Sequence, residues 1–174
     1  MQTLNRISLA ILLLPIAPMA RAEAPSAFPG ADGAGANATG GRGGTIVHVT
    51  NLNASGPGSF ADAVSRPNRI VVFDVSGIID LHATKPGKPD KAKKEGKGGV
   101  IQIGQPNITI AGQTAPGEGI CVKGGVIHIS ANNVIMRHIR SRRGVVNEGT
   151  QGDAIEVKPA TKGEKTAPDR KSVV

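Results

Sequence analysis

A parallel β-helix built from stacked coils of strands is the fold class this sequence predicts, and three observations predict it. The segment VIQIGQPNITIAG (100–112) returns 26 positions later as VIHISANNVIMRH (126–138), placing Val100 on Val126, Ile101 on Ile127, Asn107 on Asn133 and Ile108 on Val134. A fixed period of this size marks a repeat architecture. Within each copy the β-branched residues form two short runs separated by a small polar turn, Gly104 to Pro106 or Ser130 to Asn132, without helical spacing. Finally, the chain has 24 Gly and 12 Pro but no Trp or Tyr and three Phe, so its core must come from Val, Ile, Leu and Ala. One such unit cannot bury its own apolar face. Copies running in the same chain direction must therefore stack and pair as parallel strands.

The elements follow in chain order. Residues 1–22 read as a secretory signal: Arg6 is the positive start, ISLAILLLPIAPMA (7–20) the apolar stretch, and Ala20-Arg21-Ala22 a small-x-small cleavage site before Glu23. Pro15 and Pro18 break the apolar run, which falls short of the roughly 20 residues a membrane-spanning helix needs. A retained N-terminal anchor is the alternative. Cleavage leaves 23–174 as one domain and, by removing Arg6 and Arg21, takes the formal charge from +8 to +6. The glycine-rich stretch AFPGADGAGANATGGRGG (27–44) is almost structureless by composition and lacks a phosphate-binding GxGxxG spacing after a strand. TIVHVTNL (45–52) is a strand. In GPGSFADAVSRPN (56–68) Ser59 can cap a two-turn helix ended by Pro67, which would cover the open end of the coil. IVVFDVSGIIDL (70–81) supplies two strands joined at Ser76-Gly77.

Six lysines lie in KPGKPDKAKKEGKGG (85–99), with no aromatic to stack a base and no reading helix, so the positive charge does not indicate nucleic acid. Lys85 to Lys97 read as a solvated excursion from the coil; a basic surface attracting a polyanionic carbohydrate at long range is the sharper alternative. Cys121 is the single cysteine and sits in a predicted strand, GICVKG (119–124), as a small buried hydrophobe, so no intrachain disulfide is possible. His48, His82, His128 and His138 have no metal-ligand spacing. Asn107 belongs to a sequon, but its recurrence as Asn133 points to an asparagine ladder at an internal bend.

Five blocks in order, AFPGADGAGANATGGRGG, VTNLNASGPGSFADAV, IVVFDVSGIIDL, PNITIAGQTAPGEGI and NVIMRHIRSRRG, resemble the N-terminal half of bacterial pectate lyases and close relatives, over nearly all of residues 27–157. The resemblance implies a right-handed parallel β-helix, secreted or periplasmic, that uses calcium to cleave polygalacturonate by β-elimination, with no membrane contact after signal cleavage. In the family an arginine takes the proton, and it lies well downstream of the arginines seen here. Gln151-Gly152-Asp153-Ala154-Ile155 resembles the family's Asp-Gly-Asp-Ala-Ile, which puts Asp153 on a calcium-ligand position and a neutral Gln151 where the first carboxylate would be. A simple turn before the strand AIEVK is the other reading of Asp153.

In RHIRSRRG, alternation sets Arg137, Ile139 and Ser141 on one face and His138, Arg140 and Arg142 on the other. Arg140 and Arg142 could hold uronate carboxylates by paired hydrogen bonds, or pair with acids on adjacent rungs. After a polar stretch, PATKGEKTAPDR (159–170), KSVV (171–174) starts a further strand with no turn or cap, so the expectation is a solenoid truncated at its C-terminus and inactive alone. A noncatalytic β-helix that binds carbohydrate or a cell surface is the competing class.

Overall fold

The computed structural model describes residues 25–81, 99–144 and 152–158; the signal segment, the lysine-rich segment, Gln151 and residues 159–174 lie outside the described residues. The strands are β1 (Thr45–Val49), β2 (Arg69–Phe73), β3 (Gly77–Asp80), β4 (Gly99–Ile103), β5 (Ile108–Ala111), β6 (Ile120–Lys123), β7 (Gly125–Ile129), β8 (Val134–Arg137), β9 (Ile139–Arg142) and β10 (Ile155–Val157), with one α-helical turn, α1 (Phe60–Ala63), and a 3-10 turn at Gly112–Thr114. They form three sheets in the orders β1-β2-β5-β8, β3-β6-β9 and β4-β7-β10, and every pairing is parallel. The chain passes from one sheet to the next and returns one rung on. This is the parallel β-helix.

The 26-residue repeat sets the register as expected: Val100 pairs with Val126 and Ile108 with Val134. Each coil, however, holds three strands, where the repeat shows two. The third is hidden because Gly112 to Gly119 separate β5 from β6, whereas His138 alone separates β8 from β9. Inward positions stack apolar on apolar, Ile101 on Ile127 and Ile110 on Met136, with all three isoleucines fully buried. Burying each such side chain contributes roughly 1.5–3 kcal/mol before the entropy of ordering the chain is counted.

The helix is one turn, not two. Ser59 caps it as expected, its hydroxyl accepting from the Asp62 N–H at 3.2 Å and donating to the Gly56 carbonyl at 2.7 Å. It stops at Val64 because the Arg69 guanidinium takes the Asp62 and Ala63 carbonyls at 3.0 and 2.8 Å, and because Pro67 disfavours helical geometry at the residue before it. Phe60, Ala63 and Val64 are buried in the core, with the Phe60 ring tilted 59° against Phe73 at 5.4 Å. Ser59 is itself fully buried. Ser59→Ala is therefore expected to lower stability by about 1–2 kcal/mol, read as a shift of the urea midpoint at unchanged slope.

The asparagine ladder has three members. Asn133 donates to Asn107 Oδ1 at 2.7 Å and Asn107 to Asn68 Oδ1 at 2.9 Å, each residue holding φ near 60° at the corner before its strand. Asn tolerates this left-handed geometry better than most side chains, so it can both make the corner and join it to the next. The glycine-rich N-terminal stretch is more ordered than its composition indicates. Its Thr39 and Gly40 N–H groups donate to Asn133 Oδ1, both at 2.9 Å, and the Gly41 N–H to Thr109 Oγ1 at 2.9 Å. A Cβ on Gly41 would collide with the Arg69 carbonyl, so only glycine lets the segment lie this close on the four-stranded sheet.

Candidate functional site

The outer face of the β3-β6-β9 sheet gathers the sequence-predicted arginines. Alternation turns Ile79 and Val122 into the core and leaves two outward columns, Ile78–Cys121–Arg140 and Asp80–Lys123–Arg142, in direct register across the rungs. Lys123 Nζ lies 3.5 Å from Asp80 Oδ2, both side chains partly exposed, a pairing that contributes little to stability. Arg140 donates to the Glu118 carbonyl at 2.5 Å, and Arg142 forms no ion pair among the described residues. On the preceding rung the two arginines stand against Cys121 and Lys123, neither of them an acid. Two guanidinium groups, one ammonium and the Asp80 carboxylate paired with it thus share a solvent-facing strip that keeps a net positive charge. Lys123 was not singled out in the sequence, although the alternation in ICVK puts it beyond Cys121 on the same face.

The run RHIRSRRG does not form one continuous strand. His138 takes φ 56° and turns the chain between sheets, so Arg137 ends β8 while Arg140 and Arg142 belong to β9. Arg137 covers the Phe28 ring at 4.3 Å, a cation–π contact that ties the N-terminal stretch to the four-stranded sheet. Ile139 and Ser141 share the less exposed face of β9, as alternation sets them, but Arg137, expected on that same face, is separated from them by the His138 corner. Cys121 is buried but outside the core cluster, on the outward face between Ile78 and Arg140.

Asp153 lies in the exposed turn that enters β10, in the neighbouring sheet. The following carbonyl, Ala154, accepts from Ser141 Oγ at 2.9 Å and from the Ile127 N–H at 3.0 Å. That double acceptance fastens the Asp153 turn to the end of β9, so Arg142 and Asp153 border one corner of the coil. Beyond it, the Glu156 carboxyl is held below its usual range by its hydrogen bond to Lys158, against an opposing contribution from burial, with the charges of Lys158, His128 and Arg143 adding to the lowering. Calcium takes six to eight oxygen ligands. Asp153 fits as one of them, but the described residues include no group of three His, Cys, Asp or Glu able to hold a metal, so they do not complete such a site.

No family model matches the chain. Proteins named probable pectate lyase C do. One from Aspergillus terreus is 46% identical over 132 residues, 75% of this chain and 27% of its own length. Others from Aspergillus oryzae (47% over 119 residues, 68% and 24%) and Emericella nidulans (46% over 134 residues, 76% and 28%) agree. The chain belongs to the pectate lyase family. It spans about a quarter of the length of these curated relatives, which are fungal proteins. The all-parallel strand pairing of the coils is the fold of this family. Among the described residues no helix is long and apolar enough to cross a membrane.

Proposed function

We propose that these coils are part of an exported pectate lyase that cleaves polygalacturonate by calcium-assisted β-elimination, and that the 174-residue chain alone releases no product. The observation that carries the reading is the cationic strip of Lys123, Arg140 and Arg142 running beside the Asp153 corner. The two arginines present donors in a planar fork that matches a uronate carboxylate. The C5 proton of galacturonate is alpha to that carboxylate. Its removal forms the C4–C5 double bond as the C4–O bond breaks, and the departing sugar oxygen takes a proton. Calcium, with Asp153 among its ligands, would neutralise the carboxylate on which charge develops. Arg140 and Arg142 hold the substrate on the sheet; the base lies outside the described residues. Export rests on the signal segment, and the supporting family name belongs to the relatives.

The test grafts residues 25–158 in place of the matching segment of the Aspergillus terreus relative and follows unsaturated product by ultraviolet absorbance. Chelator-sensitive activity is expected in the graft and none in the 174-residue chain. Asp153→Asn should raise the calcium concentration needed for half activity by 10-fold or more while leaving the thermal midpoint within a few degrees. Unchanged calcium dependence in that variant would move the ligand elsewhere. An inactive graft that still binds polygalacturonate would favour a noncatalytic carbohydrate-binding β-helix.

A further inference from the structure

Gly44 stands before β1 as Asn68, Asn107 and Asn133 stand before β2, β5 and β8, so it holds the next corner of the asparagine ladder without a side chain. No asparagine fits there, because a Cβ on Gly44 would collide with the Asn68 carbonyl oxygen. Each amide in the ladder donates toward the lower-numbered rung, Asn133 to Asn107 and Asn107 to Asn68. Asn68 holds the same φ near 60° and accepts on Oδ1 in the same way, which turns its Nδ2 toward the Gly44 corner. That donor has no acceptor among the described residues. A cavity of about 230 Å³ opens at this corner, under the arch from Thr39 to Gly44 and beside Asn68 and Asn107.

The lining supplies donors and no acidic side chain. The Gly40 and Gly41 N–H groups are spent on Asn133 and Thr109, and those of Arg42 and Gly44 on the Thr39 and Gly41 carbonyls. Among the described residues three donors remain: the Gly43 N–H, Asn68 Nδ2, and the Arg42 guanidinium, which gives one Nη to the Ser26 carbonyl at 3.0 Å and keeps its other N–H groups. An oxyanion accepts from all three, and charge assistance makes such bonds about twice as strong as neutral ones. The volume is below the roughly 300–1,000 Å³ usual for organic ligands, which suits an ion better than a sugar ring. We infer that this corner binds one small oxyanion, a phosphate, sulfate or free carboxylate, which stands where a fourth amide would stand and clamps the glycine arch to the coil. The site lies at the corner between the β4-β7-β10 sheet and the four-stranded sheet, away from the strip on β3-β6-β9, so it does not depend on the proposed reaction.

The test titrates sodium phosphate, sulfate, acetate and galacturonate separately into the 174-residue chain at neutral pH, with ionic strength held constant by sodium chloride. Phosphate is expected to give saturable shifts at the Gly43 amide and the Asn68 side-chain NH₂, and to raise the thermal midpoint by binding only the folded state. Asn68→Asp tolerates the left-handed corner and keeps the Oδ1 that Asn107 uses, while replacing the free donor by an acceptor. It should weaken phosphate roughly 10-fold or more, because a hydrogen bond to a charged group is lost and a like charge gained. Arg42 is exposed, so Arg42→Gln should keep the native spectrum and also bind phosphate more weakly, which tests the site should Asn68→Asp fail to fold. Undiminished phosphate binding in either folded variant would overturn the site. Identical shifts from chloride alone would reduce the effect to screening and overturn it as well, and binding of galacturonate without phosphate, sulfate or acetate would replace the ion by a sugar and overturn the assigned ligand.

Discussion

Asn133→Ala is expected to destabilise the protein by roughly 3–5 kcal/mol. The amide makes four short hydrogen bonds, donating to Asn107 Oδ1 and Thr39 Oγ1 at 2.7 and 2.8 Å and accepting from the Thr39 and Gly40 N–H groups at 2.9 Å. Each contributes about 0.5–1.5 kcal/mol net, and truncation also strands the partners it leaves behind. Alanine would further occupy φ 58°, where a Cβ without a local hydrogen bond costs roughly 1–2 kcal/mol. Asn133→Gly separates the two contributions, since it loses the hydrogen bonds and not the favourable geometry, and should recover about 1 kcal/mol. Urea unfolding gives the totals, and amide exchange at Thr39 and Gly40 reports the release of the N-terminal stretch. A loss below 1 kcal/mol for Asn133→Ala would show that the ladder is bystander chemistry at this corner.

How much of this was legible follows from where connector lengths are constant. Asn107 and Asn133 could be paired from the sequence because 26 residues separate them, as they do the strands on either side. Asn68 could not, because it lies 39 residues before Asn107 and the intervening coil carries the lysine-rich segment. The same limit hid the columns of the candidate site. Cys121 meets Arg140 only across corners of unequal length, so local alternation revealed that Arg140 and Arg142 share a face but not that Lys123 joins them. The glycine-rich stretch shows the opposite limit. Its glycines satisfy a steric demand imposed by strands far along the chain, and composition records permissiveness without saying what lies opposite. For Asp153 the local motif gave the turn; its attachment to the end of β9 depends on Ser141, whose inward hydroxyl reads in isolation as a polar residue in a core position.

Gly125→Ala is the second change expected to have a large effect, about 2–3 kcal/mol, with a fall of several degrees in thermal midpoint. Its cause is space, not backbone conformation, since Gly125 does not take a positive φ. Gly125 opens β7 directly across from Gly99, which opens β4, and an added Cβ would overlap the Gly99 carbonyl oxygen while standing 2.6 Å from Leu81 Cδ1. Leu81 is buried and can yield only by disturbing its packing, while Gly99 is fixed by its N–H donating to the Leu81 carbonyl at 3.2 Å. On the other side, β7 is held by β10, so the strand cannot move outward without loosening the turn that presents Asp153. The variant should therefore also raise amide exchange at Ile127, whose N–H donates to the Ala154 carbonyl. Gly104→Ala is the control, because its nearest neighbours would stand 3.7 Å or more away, an ordinary contact, and its cost should stay within about 0.5 kcal/mol. Equal stability of the two variants would mean that the start of β7 shifts freely, and the rigid attachment of the Asp153 corner to the coil would be lost as an argument with it.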